Sequence, residues 1–169
     1  MNAGGEEYTA QVVGTDESSD LAVLKIDATG LTAIEVGSSS DLAVGEWVMA
    51  VGSPFGLEQS VSTGIVSATS RTTSALNDSS SGSSAVYTNM IQTDAAINPG
   101  NSGGALVDKD GKLIGVNTLI ASASGSSSGV GFAIPVDYAM NIAQQIIDGK
   151  TPSHAQLLSL IHISEPTRR

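Results

Sequence analysis

The sequence predicts an all-β fold of short strands with one C-terminal helix. Three observations carry this. Glycine is abundant, with 19 residues, and aromatics make up only 4% of the chain. That mix favours many short strands joined by turns over a helical bundle. Apolar runs flank Asp108–Gly111 (DKDG), a polar turn ending in glycine, which is a hairpin signal. Only one stretch, near the C-terminus, spaces its apolar residues as a helix does.

The elements follow in order. Tyr8–Val13 and Leu21–Ile26 are rich in β-formers, and the turn-like TDESSD (Thr15–Asp20) separates them. Ser38, Ser39, Ser40 and Asp41 make a polar break. Trp47–Val51 is a short apolar strand ending in Gly-Ser-Pro. Gly64–Thr69 alternates weakly. Met90–Thr93 leads into a Gly- and Asn-rich loop holding Ser102. Ala105–Val107 and Lys112–Leu119 form the hairpin around DKDG, and Val130–Ile134 is a last strand closed by Pro135. From Val136 to Asp148, apolar residues fall at Val136, Ala139, Met140, Ala143, Ile146 and Ile147. Asp137 is expected to cap this helix and Gly149 to end it. Thr72–Ser84 and Ser122–Gly129 are low-complexity and read as surface loops.

At 169 residues, 40% hydrophobic and 14% charged, the chain suffices for one soluble domain with a core. Its net charge of −10 argues against nucleic acid or anionic membranes as partners. It has no cysteine, so neither disulfides nor a thiolate zinc site are possible. No cofactor or metal is implied. Asp108 and Asp110 sit as in a calcium loop, but the spaced ligands that should follow are missing, and a hairpin turn explains them. There is no signal peptide and no apolar run long enough to span a bilayer.

The chemistry-bearing motif is GNSGG, Gly100 to Gly104. A serine hydroxyl needs a base to take its proton, and backbone N–H groups converging on one point to hold the developing oxyanion. Glycines on both sides permit the backbone angles that such a turn needs. Alone, the string also fits a flexible loop or the G-x-S-x-G elbow of α/β-hydrolases. The elbow requires a helix directly after the serine, whereas ALVDKDGKLIGV reads as strand–turn–strand.

The longer context is more specific. Ile91–Thr118 (IQTDAAINPGNSGGALVDKDGKLIGVNT) closely resembles the nucleophile region of the HtrA/Deg family of trypsin-like serine proteases. Val51–Ala68 resembles the segment that opens the second barrel in that family. Asp20–Ile26 (DLAVLKI) resembles the segment carrying the triad aspartate, and Val130–Ile147 the last barrel strand and its following helix. The resemblance implies a trypsin-like double β-barrel, with the second barrel complete and the first only partial. It implies Ser102 as nucleophile, Asp20 as triad acid, and the backbone N–H groups of Gly100 and Ser102 as oxyanion hole. Asn117, Thr118 and Leu119 would form the strand edge that pairs with an extended substrate. The loop Ile120–Gly129 would line the specificity pocket, and Arg71–Val86 would be a regulatory sensor loop. Implied substrates are unfolded or misfolded proteins, in the periplasm or cell envelope. A homotrimer is implied for a full-length member.

The sequence also departs from the family. The base should precede Asp20, yet residues 1 to 19 contain no histidine. The two histidines are His154 and His162, both beyond Ser102 and expected as exposed tail residues. The chain is expected to lack the PDZ domain that most members carry. Leu158–Arg168 (LSLIHISEPTR) resembles the translation of a transposon-type sequencing adapter. The expected organisation is therefore a remnant of the first barrel at 1–36, the second barrel with its helix at 37–149, and a tail at 150–169. The expected function is a serine endopeptidase of HtrA/Deg type, here a fragment inactive alone for want of its histidine. The alternative is a pseudoprotease that captures extended peptides without cutting them.

Overall fold

The computed structural model describes residues 7–53, 60–74, 86–120 and 129–154. Eight strands are followed by one helix: β1 (Ala10–Asp16), β2 (Leu21–Ile26), β3 (Trp47–Gly52), β4 (Ser60–Ser74), β5 (Val86–Thr93), β6 (Ala105–Asp108), β7 (Leu113–Ile120), β8 (Gly131–Pro135) and α1 (Val136–Ile147). β1 and β2 pair as a separate two-stranded antiparallel sheet, while β3-β4-β5-β8-β7-β6 close into a barrel. The all-β expectation with one helix is met.

The barrel core follows from strand alternation. In β3, Trp47 is exposed while Val48 and Ala50 are fully buried. They join Val66, Ile91, Ala95, Ile97, Leu106, Ile114 and Ala133 in one cluster inside the barrel. β8 departs from alternation, since all five of its residues are buried. Its outer face is covered as well. Phe132 and Ile134 pack with Met90 and Ala139 in a second cluster, against which Leu21 of β2 also packs. Helix α1 therefore lies between the barrel's β7–β8 face and the β1–β2 hairpin, touching all four strands.

The DKDG turn is a hairpin, as expected. Asp108 N–H donates to the Lys112 carbonyl at 3.0 Å, and Asp108 Oδ1 accepts the N–H groups of Asp110 and Lys112 at 2.9 Å each. β2 has the bounds read from the sequence, but β4 runs for 15 residues, far beyond Gly64–Thr69. Three register shifts against β5 bend it along the way, and such bulges break the alternation a sequence pattern relies on.

The start of α1 corrects one expectation: Asp137 does not cap it. Pro135 occupies the N-cap position, with φ −58° and no side-chain cap. Asp137 lies in the first turn instead, and its Oδ2 accepts the N–H groups of Ser39 and Ser40 at 3.1 and 3.0 Å. The helix start is thus tied to the polar break before β3. Gly149 ends the helix as expected: its N–H reaches the Ile146 carbonyl at 3.0 Å, and Lys150 N–H the Gln145 carbonyl at 2.9 Å.

Candidate active site

The loop holding Ser102, the expected nucleophile, connects β5 to β6 and is clamped onto the end of β3. Ser53 N–H donates to the Gly100 carbonyl at 3.2 Å, and the buried Asn101 donates through Nδ2 to the Ala96 carbonyl at 3.1 Å. At Gly104 the backbones lie so close that a Cβ would overlap the Val51 carbonyl oxygen, so only glycine fits. The turn's own hydrogen bonds use the N–H groups of Asn101, Gly103 and Gly104. Those of Gly100 and Ser102 stay outside that pattern among the described residues. Gly100 has φ +101°, a backbone angle that glycine adopts without strain.

Ser102 is exposed, and its hydroxyl donates to the Thr118 carbonyl at 2.9 Å. The same threonine reaches the other way. Its Oγ1 donates to Asp20 Oδ2 at 2.7 Å, across 98 residues of sequence. Thr118 can face both because β7 bulges there: Asn117 pairs with Ala133 and Leu119 with Phe132, leaving Thr118 as the extra residue. A bulge re-aims a side chain out of the regular pleat. Ser102 and Asp20, chosen from separate motifs, are thus brought to one residue. A carbonyl cannot accept a proton permanently, so this contact orients the Ser102 hydroxyl without activating it.

Asp20 ends the turn between β1 and β2 with φ +58°, which a short polar side chain tolerates. Asp16 holds that turn. Its Oδ2 accepts the Ser19 N–H at 3.0 Å and also the Ser19 hydroxyl, and Ser19 is buried. Sequence reasoning gave no role to Asp16 or Ser19. The spacing of an aspartate and a serine three residues on, inside TDESSD, was the available signal.

The residues expected to form the substrate edge divide in their contacts. Asn117 is fully buried and donates through Nδ2 to the Ala105 carbonyl at 3.0 Å. Its backbone continues the pairing beside Ser102: Gly103 N–H donates to the Asn117 carbonyl at 2.8 Å and Asn117 N–H to the Gly104 carbonyl at 2.9 Å. The ladder between β6 and β7 stops at Val116. From Thr118 to Ile120, β7 is paired by strand only with β8, among the described residues. Most of the expected pocket loop (Ile120–Gly129) and sensor loop (Arg71–Val86) lies outside the described residues, as do His162 and the adapter-like segment.

His154 is the second correction. It is no exposed tail residue: its side chain is 27% exposed, and its Nε2 lies 3.0 Å from Asp16 Oδ1. The structure brings it to the hairpin turn, where its two ring nitrogens meet Asp16 and Tyr138 and neither Ser102 nor Asp20.

A sequence profile of the trypsin-like peptidase domain matches residues 1–116. The chain belongs to the trypsin-like peptidase family. Within it, the chain is 51% identical over 142 residues to a probable periplasmic serine endoprotease, DegP-like, of Halomonas elongata, covering 84% of this chain and 28% of that protein. It is also 51% identical over 154 residues to the serine protease PepD of Mycobacterium tuberculosis, covering 86% of this chain and 33% of that protein. A solved HtrA-type protease, AlgW with a decapeptide, superposes with a TM-score of 0.77 at 50% identity, over 88% of this chain and 43% of that one. The likeness places this trypsin-like peptidase on the HtrA/DegP branch. The chain spans about a third or less of the curated relatives it matches.

Proposed function

We propose that this chain is the nucleophile-bearing part of an extracytoplasmic HtrA-type serine endopeptidase, acting on unfolded polypeptides. The observation that carries this reading is Thr118, which holds Ser102 through its carbonyl and Asp20 through its hydroxyl. Between acid and nucleophile a base must sit, accept the Ser102 proton, and be oriented by Asp20. Ser102 Oγ then bonds to the scissile carbonyl carbon, and the proton passes by way of the base to the leaving amine. Water later repeats the sequence and releases the acyl group. The N–H groups of Gly100 and Ser102 are suited to hold the oxyanion in both halves. An extended substrate would add as a strand along Thr118–Ile120, where β7 has a single strand partner among the described residues.

The 169 residues include no histidine ahead of Asp20. Removing a triad base costs on the order of 10⁴- to 10⁶-fold in turnover. The chain by itself therefore cleaves peptides far below protease rates. The Halomonas elongata relative is a probable periplasmic serine endoprotease, and the same compartment is proposed here.

The stretch of β7 that pairs by strand only with β8, among the described residues, also favours a second reading, a module that captures extended peptides without cutting them. Added imidazole separates the two. If Ser102 and Asp20 await only a base, free imidazole raises acylation of Ser102 by an activated ester, and Ser102→Ala abolishes it. A capture module binds an extended aliphatic peptide and gains nothing from imidazole.

A further inference from the structure

Asp16, Tyr138 and His154 come from β1, α1 and the segment after α1, and they meet at one point. His154 Nε2 lies 3.0 Å from Asp16 Oδ1, and His154 Nδ1 lies 3.0 Å from the Tyr138 hydroxyl. Both ring nitrogens are used. A neutral ring donates from Nε2 to the carboxylate and accepts from tyrosine at Nδ1; a protonated ring donates from both, with the hydroxyl turned to accept. The cluster is satisfied in either state, and the charged state makes the stronger bond to Asp16.

The chain is brought there deliberately by local chemistry. After Gly149 the backbone reverses along the helix, and Gln145 Oε1 accepts the Ser153 N–H at 2.9 Å. That leaves His154 over Tyr138, 16 residues earlier. On the far side, Asp16 is divided between two tasks: Oδ1 takes the histidine and Oδ2 takes Ser19. Ser19 immediately precedes Asp20, whose Oδ2 accepts from Thr118.

We propose that Asp16, His154 and Tyr138 form a latch through which the segment after α1 fixes the turn that aims Asp20. The inference rests on Asp20 being the triad acid. Asp16 and His154 are positioning residues, since neither touches the reacting atoms. A load that displaces Lys150–His154 frees Asp16 Oδ1 and loosens the turn holding the acid. The groups facing the ring are Asp16 from the β1–β2 hairpin and Tyr138 from α1; Lys150, in the same segment, pairs with Asp148 at 3.1 Å instead. Burial pushes the Asp16 carboxyl up, but the hydrogen bonds from Ser19 and His154 and the histidine charge outweigh it and hold it below 3.8. The carboxylate is therefore kept in the charged form that the latch needs.

The test compares the full chain with His154→Ala, Asp16→Asn and, as a control, Lys150→Ala. Two quantities are measured at one fixed pH: amide hydrogen exchange, and imidazole-assisted acylation of Ser102. Both latch variants should exchange about tenfold faster at residues 17–21 and acylate about tenfold more slowly, the scale of one lost hydrogen bond to a charged group. His154→Gln, whose side-chain amide can still donate to Asp16, should restore much of both losses. Barrel amides and Lys150→Ala should not change. Unchanged exchange at 17–21 in His154→Ala overturns the latch, as does an equal rise throughout the barrel. If the parent shows no imidazole-dependent acylation, the assignment of Asp20 and Ser102 fails, while exchange still reports whether the latch holds the turn.

Discussion

Thr118 donates its hydroxyl to Asp20 at 2.7 Å while its carbonyl takes the Ser102 hydroxyl at 2.9 Å. One residue in a bulge thus sets the spacing of the proposed acid and nucleophile. Thr118→Val keeps the shape and removes only the hydroxyl. Imidazole-assisted acylation of Ser102 should fall about tenfold, whereas the thermal midpoint should move by only a few degrees, the size expected for about 1 kcal/mol. Kinetics and a melting curve on the same sample check this.

Gly104→Ala should be far more damaging. The new methyl would meet the Val51 carbonyl and lie 2.9 Å from the Asn101 carbonyl oxygen, both rigid backbone groups. Destabilisation of about 2 kcal/mol or more is expected, with loss of Ser102 reactivity, because the nucleophile loop must lift from β3. Urea unfolding of the variant measures the first and acylation the second.

Much of this fold was legible because its strands and helix are locally encoded. Leu21–Ile26 was bounded by its turn, the hairpin by DKDG, and α1 by its apolar spacing and Gly149. Ser102 and Asp20 were each singled out from a local motif. What joined them was not legible. A bulge at Thr118 depends on how β7 meets β8, and the sequence assigned that residue to substrate binding alone. His154 and Asp16 lie 138 residues apart, so no local pattern pairs them. Asp137 looked like a cap because its type suits one, but Pro135 already stood at the helix start.

The lowered Asp16 carboxyl makes a pH prediction. A depressed folded-state value means the stabilisation is present above the ordinary value of 3.8 and is lost as pH falls through the folded one. The stability difference between the parent and Asp16→Asn should therefore persist at pH 5 and close below pH 3.8. A series of thermal melts at decreasing pH reads this gap directly.

The hairpin carries an exposed apolar pair. Val12 and Leu24 are directly opposite in the β1–β2 register and are 65% and 58% exposed. Exposed apolar strands promote self-association. The double variant Val12→Thr, Leu24→Lys should shift sedimentation toward the monomer and leave imidazole-assisted acylation within about twofold.

As proposed, Asp20 and Ser102 are already placed and lack only a base. The most direct measurement is the rate of Ser102 acylation against imidazole concentration in the parent chain, Asp20→Asn and Ser102→Ala. The parent rate should rise in proportion to imidazole, Asp20→Asn should show a slope about tenfold or more lower, and Ser102→Ala should show none. A parent rate indifferent to imidazole, or a slope unchanged in Asp20→Asn, would contradict the account.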